Sequence, residues 1–243
     1  DFYGDLIIPE PVGRLIRRAK ILNQDGKTVL ENAYDQEEFI ASSDPNFRPV
    51  NSATGPDGCL YIVDMYRGII QEGAWLREGS YLRPAVAAYG LDKNIGRGRI
   101  YRVVHENYRR PPLPNLHDDT TPELVANLNE VNGWKRDTAQ KLLILRKDPD
   151  AIPLLRTNLQ SAKDWRGRLH ALWTLEGLDA VETSDLLDAM KDPSWQVQAA
   201  AIRIAEPGLS KGDRSLVEAA QQLALNANPN VAIQAVLSFQ HAR

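Results

Sequence analysis

The sequence predicts a multidomain α+β fold, on three observations. An early stretch of short apolar strands repeats itself: Gly4-Asp5-Leu6-Ile7-Ile8-Pro9-Glu10-Pro11 lines up with Gly58-Cys59-Leu60-Tyr61-Ile62-Val63-Asp64-Met65, 54 residues later. From Pro122 onward apolar residues recur at helical spacing, and Trp134, Trp165 and Trp195 stand 31 and 30 residues apart. Between these regions lies a proline-rich stretch, NYRRPPLPNLHDDTT, from Asn107 to Thr121. Short strands repeating at about 40–50 residues are the pattern of β-propeller blades. Paired helices repeating at about 30–36 residues are that of an α-solenoid of HEAT-like repeats. The expected domains are a propeller fragment of one to two blades over residues 1–106, a stiff linker over 107–120, and the solenoid over 121–243.

In the first blade, Leu6-Ile7-Ile8 reads as a strand, Pro9 to Gly13 as a turn, and Arg14 to Leu22 as a second strand. Asn23-Gln24-Asp25-Gly26 is a hairpin signal, with Asp-Gly suited to a type I′ turn, and Lys27 to Leu30 returns as a short strand. Arg14, Arg17, Arg18 and Lys20 form a basic cluster that reads as a solvated sheet edge. The repeat matches Arg14-Leu15-Ile16-Arg17-Arg18 with Arg99-Ile100-Tyr101-Arg102-Val103. In the second blade, Gly55-Pro56-Asp57-Gly58 is a tight turn, because proline presets φ and glycine accepts positive φ. The strand Cys59 to Val63 follows it, and Cys59 is expected to be a small buried hydrophobe. An insert of roughly residues 69–98, carrying Trp75, Leu76, Tyr81, Leu82 and Tyr89, is expected to hold a short helix and a loop before Gly96-Arg97-Gly98 leads into Arg99 to Val104.

In the second half Thr121 is the expected N-cap of the first helix, with Pro122 at its first position and Glu123 near its positive end. Trp134, Trp165 and Trp195 each open a helix, and Asn228-Pro229-Asn230-Val231 opens a fourth. Shorter amphipathic helices around Leu155, Leu187 and Val217 lie between them, giving about eight helices in all. Neither helix of a pair can bury its stripe alone, so neighbouring pairs must stack.

Formal net charge is −3, which makes nucleic acid a poor partner. No apolar run approaches the length of a membrane span, and no signal-peptide pattern is present. The chain starts at Asp1 within a blade, so it reads as a fragment or a processed product. Cys59 is the single cysteine, which leaves no internal disulfide. His105, His117, His170 and His241 lack metal-ligand spacing. No glycine-rich phosphate loop, nucleophile elbow or calcium loop is present. The candidate rim site is Asp64, Tyr66 and Arg67, a carboxylate, a phenol and a guanidinium directly after an apolar strand. The alternative is that Asp64 and Arg67 satisfy each other.

The strings FRPVNSATGPDGCLYIVDMYRGIIQ, GRGRIYRVVHE, NGWKRDTAQKLL and GRLHALWTLEGL, in this order, resemble the C-terminal half of a bacterial family of large secreted proteins labelled membrane-bound dehydrogenases. The resemblance implies a six-bladed propeller, then HEAT-like repeats, and often a cytochrome c domain, in a periplasmic or secreted protein. The propeller part is in turn similar to soluble quinoprotein sugar dehydrogenases, which implies pyrroloquinoline quinone and calcium as cofactors of the intact parent and a sugar or alcohol as substrate. Arg48 falls on the position of a quinone-contacting arginine; the alternative is a structural tie to Asp44 or Asp64. The cofactor-contacting lysine of those enzymes is replaced by the turn Pro9 to Gly13, and their second arginine falls on Val50. Two functions follow: a piece of a quinoprotein-type sugar or alcohol dehydrogenase, with the repeats as a surface for a cytochrome c domain or another protein, or a non-catalytic propeller–HEAT module that binds protein or polysaccharide. This chain alone, with too few blades to enclose a central site, is expected to be inactive.

Overall fold

The computed structural model describes residues 2–70 and 76–241. Antiparallel sheets fill the first half and helices the second. The chain divides into two compact units, a β unit of residues 1–24 and 28–112 and a helical unit of residues 25–27 and 113–243.

The β unit holds two sheets. The first contains β1 (Leu6–Glu10), β2 (Leu15–Gln24) and β3 (Lys27–Asn32) in that order, with β4 (Ile40–Ala41) also paired to β2. The second contains β5 (Pro49–Thr54), β6 (Leu60–Asp64) and β7 (Arg99–Val103), again in chain order. Asp25 and Gly26 both take positive φ, 52° and 77°, as the type I′ turn between β2 and β3 demands. Cys59 is buried. The insert between β6 and β7 contains a short helix, α1 (Arg83–Tyr89), stopped by Gly90 in the left-handed conformation. Trp75, assigned to this insert by sequence, lies outside the described residues.

Three details differ from the sequence reading. First, β1 runs on through Pro9 and Glu10, so the turn begins at Pro11. Second, β2 is a central strand and not an edge. Its arginines are accommodated by partners, Arg17 on Glu38 and Arg18 on Asp5 at 2.5 Å. Third, the repeat is shifted by one residue at its second strand. Pro9 pairs with Ile16 and Val63 with Ile100, so Ile16 is the counterpart of Ile100, and Leu15 that of Arg99. The core of this unit lies between the sheets: Ile16, Phe47 and Ile62 are buried, with Ile7, Ile40, Leu60 and Val103 packed around them.

The helical unit contains α2 (Thr121–Asn127), α3 (Gly133–Arg146), α4 (Ala151–Ser161), α5 (Trp165–Gly177), α6 (Thr183–Ala189), α7 (Trp195–Ile204), α8 (Glu206–Ser210), α9 (Arg214–Leu223) and α10 (Pro229–Ser238). That is nine helices among the described residues, where about eight were expected. The extra one, α8, is a single short turn entered through Pro207. The helices form two layers. In one, α3 packs on α5, α5 on α7 and α7 on α10; in the other, α2 packs on α4 and α6 on α9.

Cap chemistry sets where α3, α5 and α10, three helices of the first of these layers, begin. Asn132, Asp164 and Asn228 each accept a backbone N–H two residues on, which satisfies a donor the helix itself cannot. The first helix is capped by Thr120, not Thr121, because the Glu123 carboxylate reaches back to the Thr120 N–H at 2.7 Å and moves the start by one residue. One core runs through the unit, with Leu124, Leu143, Leu155, Leu172, Leu175, Ile202 and Leu216 fully buried. Leu116, in the stretch read as linker, is buried in that core, and Arg146 donates to the His117 and Asp119 carbonyls. Arg168 and Asp192 form a bidentate ion pair at 2.6 and 2.9 Å with little of either side chain exposed.

Candidate functional site

The candidate site is the rim where β6 ends. Asp64, the last residue of this middle strand, lies opposite Pro49 on one side and Arg99 on the other. It is fully buried. Its Oδ1 accepts the backbone N–H groups of Arg48 and Tyr66, both at 2.8 Å. Its Oδ2 has no hydrogen-bond partner, a costly state for a buried acceptor. Asp64 is therefore held by amides and not by Arg67, which follows Tyr66 in the rim loop and is partly buried.

Tyr66 turns the chain with φ +46°, a conformation that bulky residues rarely adopt. Its hydroxyl donates to Asp44 Oδ2 at 2.8 Å, the Arg99 guanidinium sits 3.3 Å from its ring centroid, and Asn94 donates to its carbonyl at 2.9 Å. The bond to Asp44 and burial raise the phenol's pKa, against the opposing pull of Arg99. The Asn46 N–H, then the Tyr66 hydroxyl and Arg99, hold the Asp44 carboxyl below the usual range.

Arg48 precedes β5 and bridges two loops. Its guanidinium donates to the Pro11 carbonyl at 2.9 Å and to the Gly68 carbonyl at 2.8 Å. It binds neither Asp44 nor Asp64 through its side chain; in place of that alternative tie the guanidinium bonds two backbone carbonyls. Burial lowers its pKa, as does the charge of Arg14, while Glu10 and Asp64 act the other way; an arginine stays cationic regardless. Arg14 has φ +59° in the β1–β2 turn, and its buried Nε has no hydrogen-bond partner. The rim thus places two mutually repelling guanidinium groups near a partly unsatisfied carboxylate.

Sequence reasoning placed Asp64, Tyr66 and Arg67 at this rim and gave Arg48 separately as a cofactor contact; it missed Arg14, Asn94 and Arg99 as members of the rim. Arg14 was read as one of a solvated cluster; only its backbone conformation sets it apart. A second polar cluster was also missed, at the opposite end of β6. Asp57 accepts from the Cys59 N–H at 3.1 Å, the Tyr61 hydroxyl at 3.0 Å and Arg102 at 3.1 Å. The Tyr108 hydroxyl donates to the Asp57 carbonyl at 3.3 Å. Burial, then the Cys59 thiol and the Asp57 charge, push the Tyr108 phenol up to about 12. Every Asp57 oxygen is engaged, so this cluster locks the turn.

The rim suits an anion better than a cation. Arg48 retains three N–H groups beyond the two it spends on carbonyls, and Arg14 offers its Nε–H. A quinone with carboxylates fits such donors. No three His, Cys, Asp or Glu side chains converge as a metal-ion cage among the described residues. No helix among them is long and apolar enough to cross a membrane.

Comparison with known proteins adds one resemblance. A family model described as a domain of unknown function (DUF7133) matches residues 1–107, nearly the extent of the β unit. No curated protein matches the chain.

Proposed function

We propose that the β unit contributes blades to the propeller of a quinoprotein-type sugar or alcohol dehydrogenase, and that the helical unit is a HEAT-like surface for a cytochrome c domain or another protein. The protein would work in the periplasm or outside the cell. The observation that carries this reading is the rim: Arg48 with three N–H groups unspent, Arg14 with a buried Nε that has no partner, and Arg14 and Tyr66 both in a left-handed backbone conformation that costs free energy. Strain of about 1–3 kcal/mol per residue gathers where a side chain must be aimed. Two adjacent cations favour an anionic ligand, and the carboxylates of pyrroloquinoline quinone meet that requirement. The two-layer order of the helices and the repeated sheets support the architecture.

A second reading has its own observation. Arg48 spends two donors on the backbone of two loops, as a residue of a non-catalytic module for protein or polysaccharide would. Titration of the apo parent protein with pyrroloquinoline quinone, for the wild type and Arg14→Gln, separates the two. Loss of a charged hydrogen bond of about 1.5–3 kcal/mol weakens binding by roughly 10- to 150-fold with melting unchanged. Equal affinity of the two proteins rejects the quinone reading and leaves the module.

A further inference from the structure

A cleft opens between the first turns of α5 and α7 in the helical unit. These helices pack side by side, and each opens on a tryptophan, Trp165 and Trp195, one repeat apart. Both side chains are only partly buried. With Lys163, Asp164, Arg168, Ser194 and Gln196 they line a volume of about 490 Å³, within the ~300–1,000 Å³ of ligand sites. The Trp165 ring is held in place. The Arg166 guanidinium lies 5.4 Å from its centroid, and Asp164 grips that guanidinium through both carboxylate oxygens at 2.8 and 2.6 Å. A ring positioned beforehand loses little freedom on binding.

The charges of the lining are largely spent within the unit: Asp164 pairs with Arg166 and Arg168 with Asp192. Lys163 is exposed. Ser194 donates to Gln196 Oε1 at 2.5 Å, which leaves the Gln196 amide N–H groups and both indole N–H groups without a partner among the described residues. Aromatic faces beside unspent neutral donors match a sugar ring, whose C–H face packs on an indole while its hydroxyls hydrogen-bond at the edge. A charged ligand is matched less well, because the paired carboxylate and guanidinium groups cancel.

We propose that this cleft binds an uncharged oligosaccharide, with one sugar on Trp165 and another on Trp195. Packed helix axes lie about 8–10 Å apart, which suits alternate sugars of an extended β-linked chain, since these present the same face. The inference goes beyond the readings above, which place no sugar on the helical unit.

Calorimetric titration and tryptophan fluorescence of the full chain with cellohexaose, xylohexaose and chitohexaose test it. At least one of these should bind and shift the tryptophan emission. Gln196→Ala and Trp195→Leu should each weaken that binding about tenfold, or about 1.4 kcal/mol. Trp134→Leu, in the same row but outside the cleft, should leave it unchanged. Both tryptophans also pack on the helical core, so circular dichroism checks the folding of their variants, and Gln196→Ala decides the matter where either is unfolded. Binding of none of the three sugars, or unchanged affinity in Gln196→Ala, overturns the proposal. Tighter binding of a proline-rich peptide, which aromatic grooves also accept, assigns the cleft to a protein partner and overturns it too. No residue of the cleft belongs to the rim, so the quinone titration succeeds or fails independently of this result.

Discussion

Arg48→Ala should destabilise the β unit even with no ligand present. The guanidinium joins the Pro11 carbonyl in the β1–β2 turn to the Gly68 carbonyl beyond β6. Pro11 is only partly buried, so water can replace the lost bond there. Gly68 is buried, and its carbonyl would be left without a donor. A charged hydrogen bond contributes about 1.5–3 kcal/mol, and an orphaned buried acceptor costs about 1–3 kcal/mol. Allowing for rehydration at Pro11, the loss should be about 2–4 kcal/mol, a large part of a domain's usual 5–15 kcal/mol. Hydrogen exchange reads this locally. The Arg48 and Tyr66 amides, both bound to Asp64, should exchange roughly 30- to 1,000-fold faster in the variant if they open with the rim. Arg48→Lys should fall between, because an ammonium reaches one carbonyl without the fork. Arg14→Ala, whose Nε holds nothing, should leave exchange almost unchanged. Wild-type exchange rates in Arg48→Ala would refute the argument that this residue clasps the rim.

Arg168→Met should cost the helical unit about 3–5 kcal/mol, since it strands the buried Asp192 carboxylate, whereas Arg168→Met with Asp192→Leu should recover most of that loss; urea unfolding of both variants checks it. Asp44→Asn should flatten the acid sensitivity of the β unit. The Asp44 pKa is lowered in the folded state, so its contribution is complete above the unfolded value near 4 and is lost as pH falls through the folded value. Near-ultraviolet circular dichroism between about pH 5 and 2 should show a steeper loss for the wild type than for the variant.

The fold was legible where side-chain chemistry alone dictates the local outcome. The Asp25-Gly26 hairpin and the helices opening at Trp134, Trp165 and Trp195 follow from turn and cap preferences that neighbours cannot easily override. Boundaries were less legible, because they depend on a second partner: Thr120 becomes the cap only through Glu123, and Leu116 joins the helical core only through tertiary packing. The central position of β2 was hidden because four cations suggest solvent, whereas Glu38 and Asp5, distant in sequence, make room for two of them. At the rim, residue type pointed to Asp64, Tyr66 and Arg67, and Arg48 entered only through the family resemblance. Arg14 was out of reach because its distinction is a dihedral angle and a neighbouring charge, neither of which a sequence spells out.

The Tyr108 contact decides where the β unit can be cut from the chain. The segment leaving β7 is pinned back to the β5–β6 turn by the Tyr108 hydroxyl on the Asp57 carbonyl and by the Arg102 guanidinium within 5.8 Å of the Tyr108 ring centroid. A piece that stops at residue 106, where the strand pattern fades, discards that pin and exposes Arg102 and Cys59. A piece that ends at Pro112 keeps it, and one that starts at Leu113 keeps Leu116 for the helices. The proline-rich stretch is thus tied at both ends, by Tyr108 to the β unit and by Leu116 to the helical core, and exposed residues 109–113 lie between the two ties.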